Sequence, residues 1–277
     1  MKIGFIGGGR RLNAAYRIFE GKSGFEISGM YSKVIDKCAD TAIYANSKIY
    51  LSPDKLCDES DVIVLAVSDK AVPEIISALT RLHTHGKVFV TISETLTCSD
   101  LSMAYPNACA IINGCTPLTN MSDADIGSGA FVCNLFGKNH TEFYQTMTNS
   151  EINCSFISPK QLQLYRTSLH MVKYTIEAAV MTTVDLLKIA AIPAPADKLV
   201  PVVRDAIKYA FSSAKDDMTN TYIGGNLEEI RKHAGILKEN GIESAIEMYK
   251  STAKIMTEKT CNDFEAADEV FRLLHNL

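Results

Sequence analysis

The sequence predicts an α/β protein with a doubly wound, mostly parallel sheet, followed by an all-helical domain with a long leading helix. Three observations support this class. The chain opens with a short apolar run that breaks into three glycines and continues as an amphipathic segment. Strand-length apolar runs then alternate with helical patterns as far as about residue 155. Beyond that point a helical pattern extends from Gln161 to about Ala191 without glycine or proline.

The amino-terminal segment has the order of a nucleotide-binding βαβ unit. The apolar run ends at Gly7, and an amphipathic segment over residues 10–20 follows the glycines at once. A strand, tight turn and helix in this order place backbone N–H groups at a helix N-terminus, where a phosphate can sit. The fingerprint is incomplete because Leu12 occupies the position of the third glycine, and a glycine turn that binds nothing is the alternative interpretation. The candidate nucleotide contacts in this segment are Gly7, Gly8, Gly9, Arg10, Arg11 and Leu12.

The end of the second predicted strand favours NADP over NAD. This strand covers residues 25–30, and Ser32 and Lys33 follow it closely. An NAD site usually carries an acidic residue at this place, which accepts hydrogen bonds from the ribose 2′-OH. A hydroxyl followed by a cation suits a 2′-phosphate instead, and Arg10 can add a second positive charge. A solvated turn with a surface lysine is the alternative interpretation.

The predicted Rossmann sheet has seven or eight strands. After the first, its strands are predicted over residues 25–30, 49–51, 61–67, 87–92, 108–113 and 130–135. In open α/β sheets, ligands bind beyond the carboxyl ends of the strands, so polar residues there are candidates for ligand contact. Helix capping explains Ser68 or Asp69 equally well. The candidates at these strand ends are Val67, Ser68, Asp69, Ser93 and Thr116.

The change of pattern near residue 155 predicts two domains. We expect an NADP-binding domain over residues 1–155 and a helical substrate and dimerisation domain over 156–277. The leading helix would be about 45 Å long at 1.5 Å per residue. A small substrate usually lies in the cleft between two such domains. Four further helices are predicted over residues 199–214, 227–239, 242–257 and 263–274.

Composition argues against several classes of protein. The net charge is −4 and no lysine or arginine cluster stands out, which argues against a nucleic-acid partner. The chain has neither an 18-residue apolar run nor the apolar core of a signal peptide, which argues against a membrane protein. Its eight cysteines show no CxxC pair and no Cys/His ligand spacing. We therefore expect a cytoplasmic protein with reduced thiols and no structural metal.

Several segments carry a resemblance to known proteins. The segments GFIGGGR, MYSK, DVIVLAVSDKAV and GKVFVTIS resemble the NADP-binding domains of the 6-phosphogluconate dehydrogenase superfamily. That superfamily includes pyrroline-5-carboxylate reductases, ketopantoate reductases and β-hydroxyacid dehydrogenases. More narrowly, the segments NGCTPL and MTNTYIGGNLEEIRKH are similar to a family of Rossmann-like oxidoreductases whose C-terminal half is domain of unknown function 2520. The resemblance covers nearly the whole chain and implies an NAD(P)-linked reductase or dehydrogenase that is commonly dimeric through its helical domain.

The chain departs from the narrower family at several polar positions. Thr116 stands where the family has the histidine of a His-Pro turn, and Arg166 replaces a histidine early on the long helix. Glu94 stands where glycine is common, and residues 224–226 replace an Arg-Gly-Asp tripeptide. Either the substrate differs from that of the family, or the chain retains the cofactor fold and has lost the reaction.

The long helix supplies the candidate catalytic residues. Arg166, His170 and Lys173 lie three or four residues apart and therefore form one stripe. Related β-hydroxyacid dehydrogenases place a catalytic lysine on the corresponding helix, which implies this role for Lys173. Hydride transfer needs a proton donor or a cation near the reacting group, for which Lys173 and His170 are candidates. Ser93 is a further catalytic candidate as a hydroxyl contact to nicotinamide or substrate.

Each candidate on the helix has an alternative interpretation. Lys173 can be a solvated lysine and His170 an interdomain histidine. Arg166 can clamp a substrate carboxylate, since guanidinium geometry suits that pairing. His233, on a C-terminal helix, is expected in a surface or dimer contact. Cys115 invites a nucleophile hypothesis, but the sequence shows no Cys-His pairing to support it.

These observations predict an NADP-dependent oxidoreductase. It would transfer a hydride between NADP(H) and a small carbonyl, imine or hydroxy-acid substrate in the interdomain cleft. The alternative is a non-catalytic NADP-binding sensor or dimeric scaffold protein. The predicted partners are a small-molecule substrate and a second copy of the chain in a homodimer.

Overall fold

The computed structural model describes residues 1–79, 85–97, 99–101, 107–114, 122–138, 140–211, 227–260 and 264–276. Predictions for Cys115, Thr116 and residues 224–226 therefore lie outside the described residues. The chain forms two compact units, Met1–His170 and Met171–Leu277, and the division falls within one long helix.

The first unit contains one eight-stranded sheet with the order β3-β2-β1-β4-β5-β6-β7-β8. Neighbouring strands run parallel except for β6 and β7, which are antiparallel. The order reverses direction at β1, which lies between β2 and β4, so this is a doubly wound sheet with its switch point beside β1. The strands are β1 (Lys2–Gly7), β2 (Glu26–Tyr31), β3 (Ile49–Tyr50), β4 (Val62–Ala66), β5 (Val88–Ile92), β6 (Ala108–Gly114), β7 (Phe131–Phe136) and β8 (Cys154–Phe156).

Helices cover the sheet. Those in or beginning in the first unit are α1 (Gly9–Phe19), α2 (Asp36–Tyr44), α3 (Pro53–Asp58), α4 (Val72–Leu79), α5 (Asp123–Ser128), α6 (Thr141–Asn149) and the 31-residue α7 (Pro159–Ile189). A short 3₁₀ turn, Asp69–Ala71, precedes α4.

The two faces of the sheet bury separate apolar clusters. Successive residues of a strand point to opposite faces. Val62 and Val64 of β4 accordingly lie in one cluster, whereas Ile63 and Leu65 lie in the other. Every residue of β4 is buried, as the continuous apolar run predicted.

The second unit is helical in its described part. Besides the end of α7, it contains α8 (Pro195–Phe211), α9 (Leu227–Glu239), α10 (Glu243–Thr260) and α11 (Phe264–His275). The last three pack around a small core that includes Ile230, Ala253 and Val270. In the described part of the chain, no helix has both the length and the apolar character needed to cross a membrane.

The predicted fold class is confirmed: a mostly parallel doubly wound sheet is followed by helices, the first of them long. Element ends shift by a few residues, and α8 begins at Pro195 rather than at Leu199. Proline suits the first turn of a helix, where its missing N–H has no partner to lose. The helices α3, α5 and α6 and the strand β8 were not predicted, because short elements carry little periodicity.

Candidate functional site

The turn between β1 and α1 requires glycine because of its close neighbours. A Cβ on Gly7 would overlap the carbonyl oxygen of Ala66 in β4. A Cβ on Gly8 would lie 2.6 Å from the Cβ of Lys37 in α2. Gly9 has a φ of +62°, in the left-handed region, and no atom lies within 4 Å of the position its Cβ would take. The turn is thus enclosed on the sheet and α2 sides and open beside Gly9.

The N-terminus of α1 has the features of an anion site. Its N-cap residue is Gly8, so no side chain caps the first N–H groups of the helix. Arg10 and Arg11 are exposed in the first turn, which contains no acidic residue. N–H groups without a side-chain cap and the guanidinium of Arg10 both favour a bound phosphate, whereas Arg11 is paired with Asp69.

Leu12 belongs to the core and does not line this turn. Its side chain is fully buried in the same apolar cluster as Phe5 and Ala15. The third glycine of the nucleotide fingerprint serves close packing of helix against strand. In this chain a leucine side chain occupies that interface.

The end of β2 brings a hydroxyl and two lysines near the glycine turn. Ser32 Oγ accepts a hydrogen bond from the Val34 N–H at 3.3 Å, so the chain turns before α2 begins at Asp36. Lys33 and Lys37 are both exposed. Lys37 lies against Gly8, which places its backbone at the turn itself. Lys37 was not predicted as a site residue from the sequence, although its spacing of four from Lys33 is a helical spacing.

Asp69 connects the ends of α1, β4 and β5. Its Oδ1 accepts a hydrogen bond from Arg11 Nη1 at 3.1 Å, and Arg11 Nη1 also donates to the carbonyl of Val67 at 3.2 Å. Its Oδ2 accepts hydrogen bonds from Ser93 Oγ at 2.7 Å and Thr95 Oγ1 at 2.6 Å. Four predicted site residues, Arg11, Val67, Asp69 and Ser93, are therefore directly linked.

The protonation state of Asp69 follows from these contacts. Burial alone would raise the pKa of its carboxyl group. The hydrogen bonds from Thr95 and Ser93, together with the charge of Arg11, outweigh burial and hold the pKa of Asp69 below its ordinary value. Asp69 is thus an anion at neutral pH. Ser68 is exposed and does not cap the following turn with its side chain.

Ser93 is buried, and its hydroxyl stabilises a local turn. Ser93 Oγ accepts hydrogen bonds from the N–H groups of Thr95 at 3.1 Å and Leu96 at 2.8 Å, besides donating to Asp69. Only 2% of the residue is exposed. The Asp69–Ser93 contact therefore fixes the conformation of the chain that follows β5.

Arg166 reaches the same turn from α7. Its Nη1 donates to the carbonyl of Leu96 at 2.7 Å, and its Nη2 donates to the carbonyl of Ser93 at 2.7 Å. The same Nη2 donates to Asn113 Oδ1 at 3.0 Å, at the end of β6. The guanidinium is therefore engaged with protein acceptors at the ends of β5 and β6. These contacts could not be predicted from the sequence, because they join residues about 50 to 70 positions apart in the chain.

His170 and Lys173 lie further along α7 and are both exposed. Lys173 Nζ lies 4.0 Å from Glu177 Oε1, one turn along the same helix. In the described residues, no group of three or more His, Cys, Asp or Glu side chains is placed to hold a metal ion. Burial raises the pKa of the Cys57 thiol to about 11, which makes it a poor nucleophile.

Comparison with known proteins finds a family model that matches the amino-terminal part of the chain. Residues 2–95 match the family model described as "NADP oxidoreductase coenzyme F420-dependent". No curated protein sequence matches the chain.

Solved structures match over nearly the whole chain. A protein from Thermotoga maritima is 14% identical with a TM-score of 0.69, over 96% of this chain and 98% of that one. An imine reductase from a Pseudomonas species is 14% identical with a TM-score of 0.60, over 99% of this chain and 92% of that one. The pyrroline carboxylate reductase of Plasmodium falciparum, solved with NADP bound, is 13% identical with a TM-score of 0.54, over 99% and 98% of the two chains.

These identities are low, so the similar structures establish the fold. The family match adds that the first 95 residues resemble NADP oxidoreductases in sequence as well. The predicted resemblance to 6-phosphogluconate dehydrogenase-like and pyrroline-5-carboxylate reductase-like proteins is confirmed in two respects: residues 2–95 match an NADP oxidoreductase model, and the chain shares its fold with the Plasmodium reductase. The narrower resemblance to proteins with domain of unknown function 2520 stays a prediction.

Proposed function

We propose that this protein is an NADP-dependent oxidoreductase. It transfers a hydride between NADP(H) and a small substrate with a carbonyl, imine or hydroxy-acid group. The observation that carries the proposal is the uncapped N-terminus of α1 at a glycine turn, within the segment that matches NADP oxidoreductases. The Pseudomonas and Plasmodium proteins with the same fold support reduction of a carbon–nitrogen double bond as the type of reaction.

The residues around the turn fit a dinucleotide. The N–H groups at the start of α1 would bind the pyrophosphate, and the open space beside Gly9 leaves room for it. Ser32, Lys33 and Lys37 would bind a ribose 2′-phosphate, because a hydroxyl and two cations complement its charge. Residues 31–35 contain no acidic side chain that would select the 2′-OH of NAD. We therefore propose NADP rather than NAD.

The network of Asp69 would shape the other half of the site. NADPH, when bound, supplies the hydride. Asp69 holds Arg11 and the turn after β5 at the carboxyl edge of the sheet, next to the glycine turn. Arg166 positions the same turn through the carbonyls of Ser93 and Leu96. We propose a positioning role for Arg166 and Ser93, in place of the anion-anchor and direct catalytic roles expected from the sequence.

The proton donor belongs to the helical half of the chain in this proposal. His170 and Lys173 are exposed on α7, one turn and two turns beyond Arg166. Either side chain can donate a proton to the atom that becomes an alcohol or amine. Replacing Lys173 by Met tests this role, since loss of the donor lowers kcat about 10²- to 10⁴-fold while leaving NADPH binding unchanged.

We also propose that a second copy of the chain covers α7 and α8. Residues 171–178 of α7 are exposed on every side of the helix, although Met171, Val172 and Tyr174 are apolar or aromatic. A helix with apolar residues all round is normally buried. On α8, Val202 and Phe211 are likewise exposed. A homodimer through the helical unit removes this surface from water. None of the five described cysteines forms a disulfide, which supports a reducing, cytoplasmic location.

A non-catalytic NADP-binding protein is the second candidate. It is favoured by the engagement of Ser93 and Arg166 in contacts within the protein. The two functions differ in turnover. Thermal-shift titration should show a larger rise in midpoint with NADPH than with NADH, since a ligand of the folded state stabilises by mass action. Consumption of NADPH with a panel of imines, ketones and keto acids then supports the enzyme. NADPH binding without turnover on any of them supports the sensor or scaffold.

A further inference from the structure

The second unit contains a pocket of its own, about 440 Å³ in volume, between α7, α9 and α10. Its wall is mainly apolar, and the side chains that form this wall are Leu186, Ile236, Leu237, Ala245, Met248 and Ala253. A volume of several hundred cubic ångströms and an apolar lining are typical of sites for small organic molecules.

One side of the pocket carries a polar pair. His233 Nδ1 lies 3.1 Å from the hydroxyl of Tyr249. Their rings are nearly perpendicular, at 88°, with centroids 5.8 Å apart. A tyrosine hydroxyl can donate and accept hydrogen bonds, and a neutral histidine has one nitrogen of each kind. The pair can therefore offer either a donor or an acceptor to a bound molecule.

The lining includes no Lys, Arg, Asp or Glu side chain among the described residues. The remaining polar residues are Thr182, Thr183 and Thr252, which carry no charge. A carboxylate placed here would lose its hydration without gaining a cation, which is strongly unfavourable. The pocket therefore discriminates against acidic ligands.

We propose that this pocket is a binding site for a small, mainly apolar molecule that carries a carbonyl or imine group and no carboxylate. Tyr249 and His233 hold its oxygen or nitrogen by a hydrogen bond, and the apolar wall holds the carbon skeleton. The inference goes beyond the proposed function and does not depend on it, because all the residues that line the pocket belong to the second unit. His233 then has a binding role, in contrast to the surface or dimer contact expected from the sequence.

Binding of a matched pair of probes, measured without NADPH, tests the inference. The probes are acetophenone and benzoylformate, which share an aromatic ketone and differ by a methyl group against a carboxylate. Isothermal titration or ligand-observed NMR on the full chain should show saturable binding of acetophenone. Benzoylformate should bind at least about tenfold more weakly, because its carboxylate lacks a partner. Equal or tighter binding of benzoylformate overturns the inference.

Two adjacent residues of α10 locate the binding site. Thr252 and Ser251 are both exposed, but only Thr252 lines the pocket. Thr252→Trp should abolish acetophenone binding, whereas Ser251→Trp should retain it. Tyr249→Phe should weaken binding about three- to tenfold through loss of one hydrogen bond. If Thr252→Trp changes the oligomeric state and leaves probe binding intact, a second copy occupies the pocket and the inference fails.

The same experiments separate this inference from the proposed function. If NADPH binds but acetophenone does not, the oxidoreductase assignment stands and the pocket assignment fails. If acetophenone binds at Thr252 but NADPH does not bind, the pocket stands as a ligand site. In that case the oxidoreductase assignment fails.

Discussion

Arg11 and Asp69 form an ion pair, with Nη1 3.1 Å from Oδ1, between the first turn of α1 and the end of β4. Asp69 also accepts hydrogen bonds from two hydroxyls that follow β5. One carboxylate therefore connects the helix that begins the nucleotide turn with two strand ends at the switch point of the sheet. Loss of its charge should affect all three elements together.

Replacing Asp69 by Asn should destabilise the protein. The amide keeps the shape of the carboxylate, but it loses the ion pair and accepts hydrogen bonds poorly from both Ser93 and Thr95. We expect a loss of about 1–3 kcal/mol in the free energy of unfolding, measured by urea denaturation. Asp185→Asn is the matched control. The ion pair of Asp185 with Lys188 is exposed, so its loss should lower the free energy of unfolding by less than about 0.5 kcal/mol. Equal effects of the two variants would contradict the role of Asp69.

The stabilising effect of Asp69 should depend on pH in one direction. Its folded-state pKa lies below the ordinary value, so the unfolded chain binds a proton first as pH falls. The contribution is complete above about pH 5 and is lost at lower pH, as the pH falls from the unfolded pKa of about 3.9 through the folded pKa. The difference in Tm between wild type and Asp69→Asn should be constant from pH 5 to 8 and narrow below pH 4. Narrowing between pH 6 and 8 would refute this explanation.

Replacing Arg166 by Met should lower the stability of the folded protein. The change removes the hydrogen bonds to the carbonyls of Ser93 and Leu96 and to Asn113. We expect a loss of about 2–4 kcal/mol in the free energy of unfolding, because buried acceptors are left without a donor. Hydrogen exchange should also rise in residues 93–97. The exposed Arg204→Met serves as control, and a rise in substrate KM at unchanged stability would restore the anion-anchor role for Arg166.

Replacing Lys37 by Gln should weaken the binding of NADPH and leave the binding of NADH nearly unchanged. Lys37 lies against Gly8 at the nucleotide turn, so its cation would reach the 2′-phosphate and nothing equivalent in NADH. We expect the Kd for NADPH, measured by fluorescence titration, to rise about tenfold, and that for NADH to change by less than about twofold. Lys2→Gln removes an exposed lysine at the amino end of β1, at the opposite edge of the sheet, and should leave both values unchanged. A similar loss for both nucleotides would remove Lys37 from the 2′-phosphate site.

Replacing Val172 by Glu should dissociate the proposed homodimer. Val172 is 57% exposed on α7 in the single chain, so the change should leave the fold of each chain intact. Burying an unpaired carboxylate in a dimer interface is strongly unfavourable. Sedimentation velocity should show a dimer for wild type and a monomer for the variant. The control is Ile43→Glu, at a residue 76% exposed on α2. A monomeric wild-type protein would refute the homodimer.

Much of the sheet could be predicted from the sequence because its signals are local. A continuous apolar run at residues 62–66 requires burial on both faces, and only a parallel strand covered by helices provides it. Gly7 and Gly8, before α1, indicate that Ala66 and Lys37 approach the turn more closely than a side chain there would allow. The helix α7 was predicted to within two residues at each end, because residues 161–191 contain no glycine or proline and carry a strong helical pattern.

The partners of the polar side chains were decided only by the tertiary structure. Arg166 was expected to bind a substrate, yet its guanidinium lies beside carbonyls about 70 residues away in the chain. Lys37 attracted no functional interpretation and His233 was expected only in a surface or dimer contact, because a lone cation or histidine on a helix has no local signature. Hydrogen bonds and pockets depend on where distant segments meet, and hydrophobic periodicity fixes only which face of an element turns inward. The sequence by itself therefore determined the fold class and the nucleotide turn. The tertiary structure decided which polar side chains contact other parts of the protein and which line a surface where a ligand can bind.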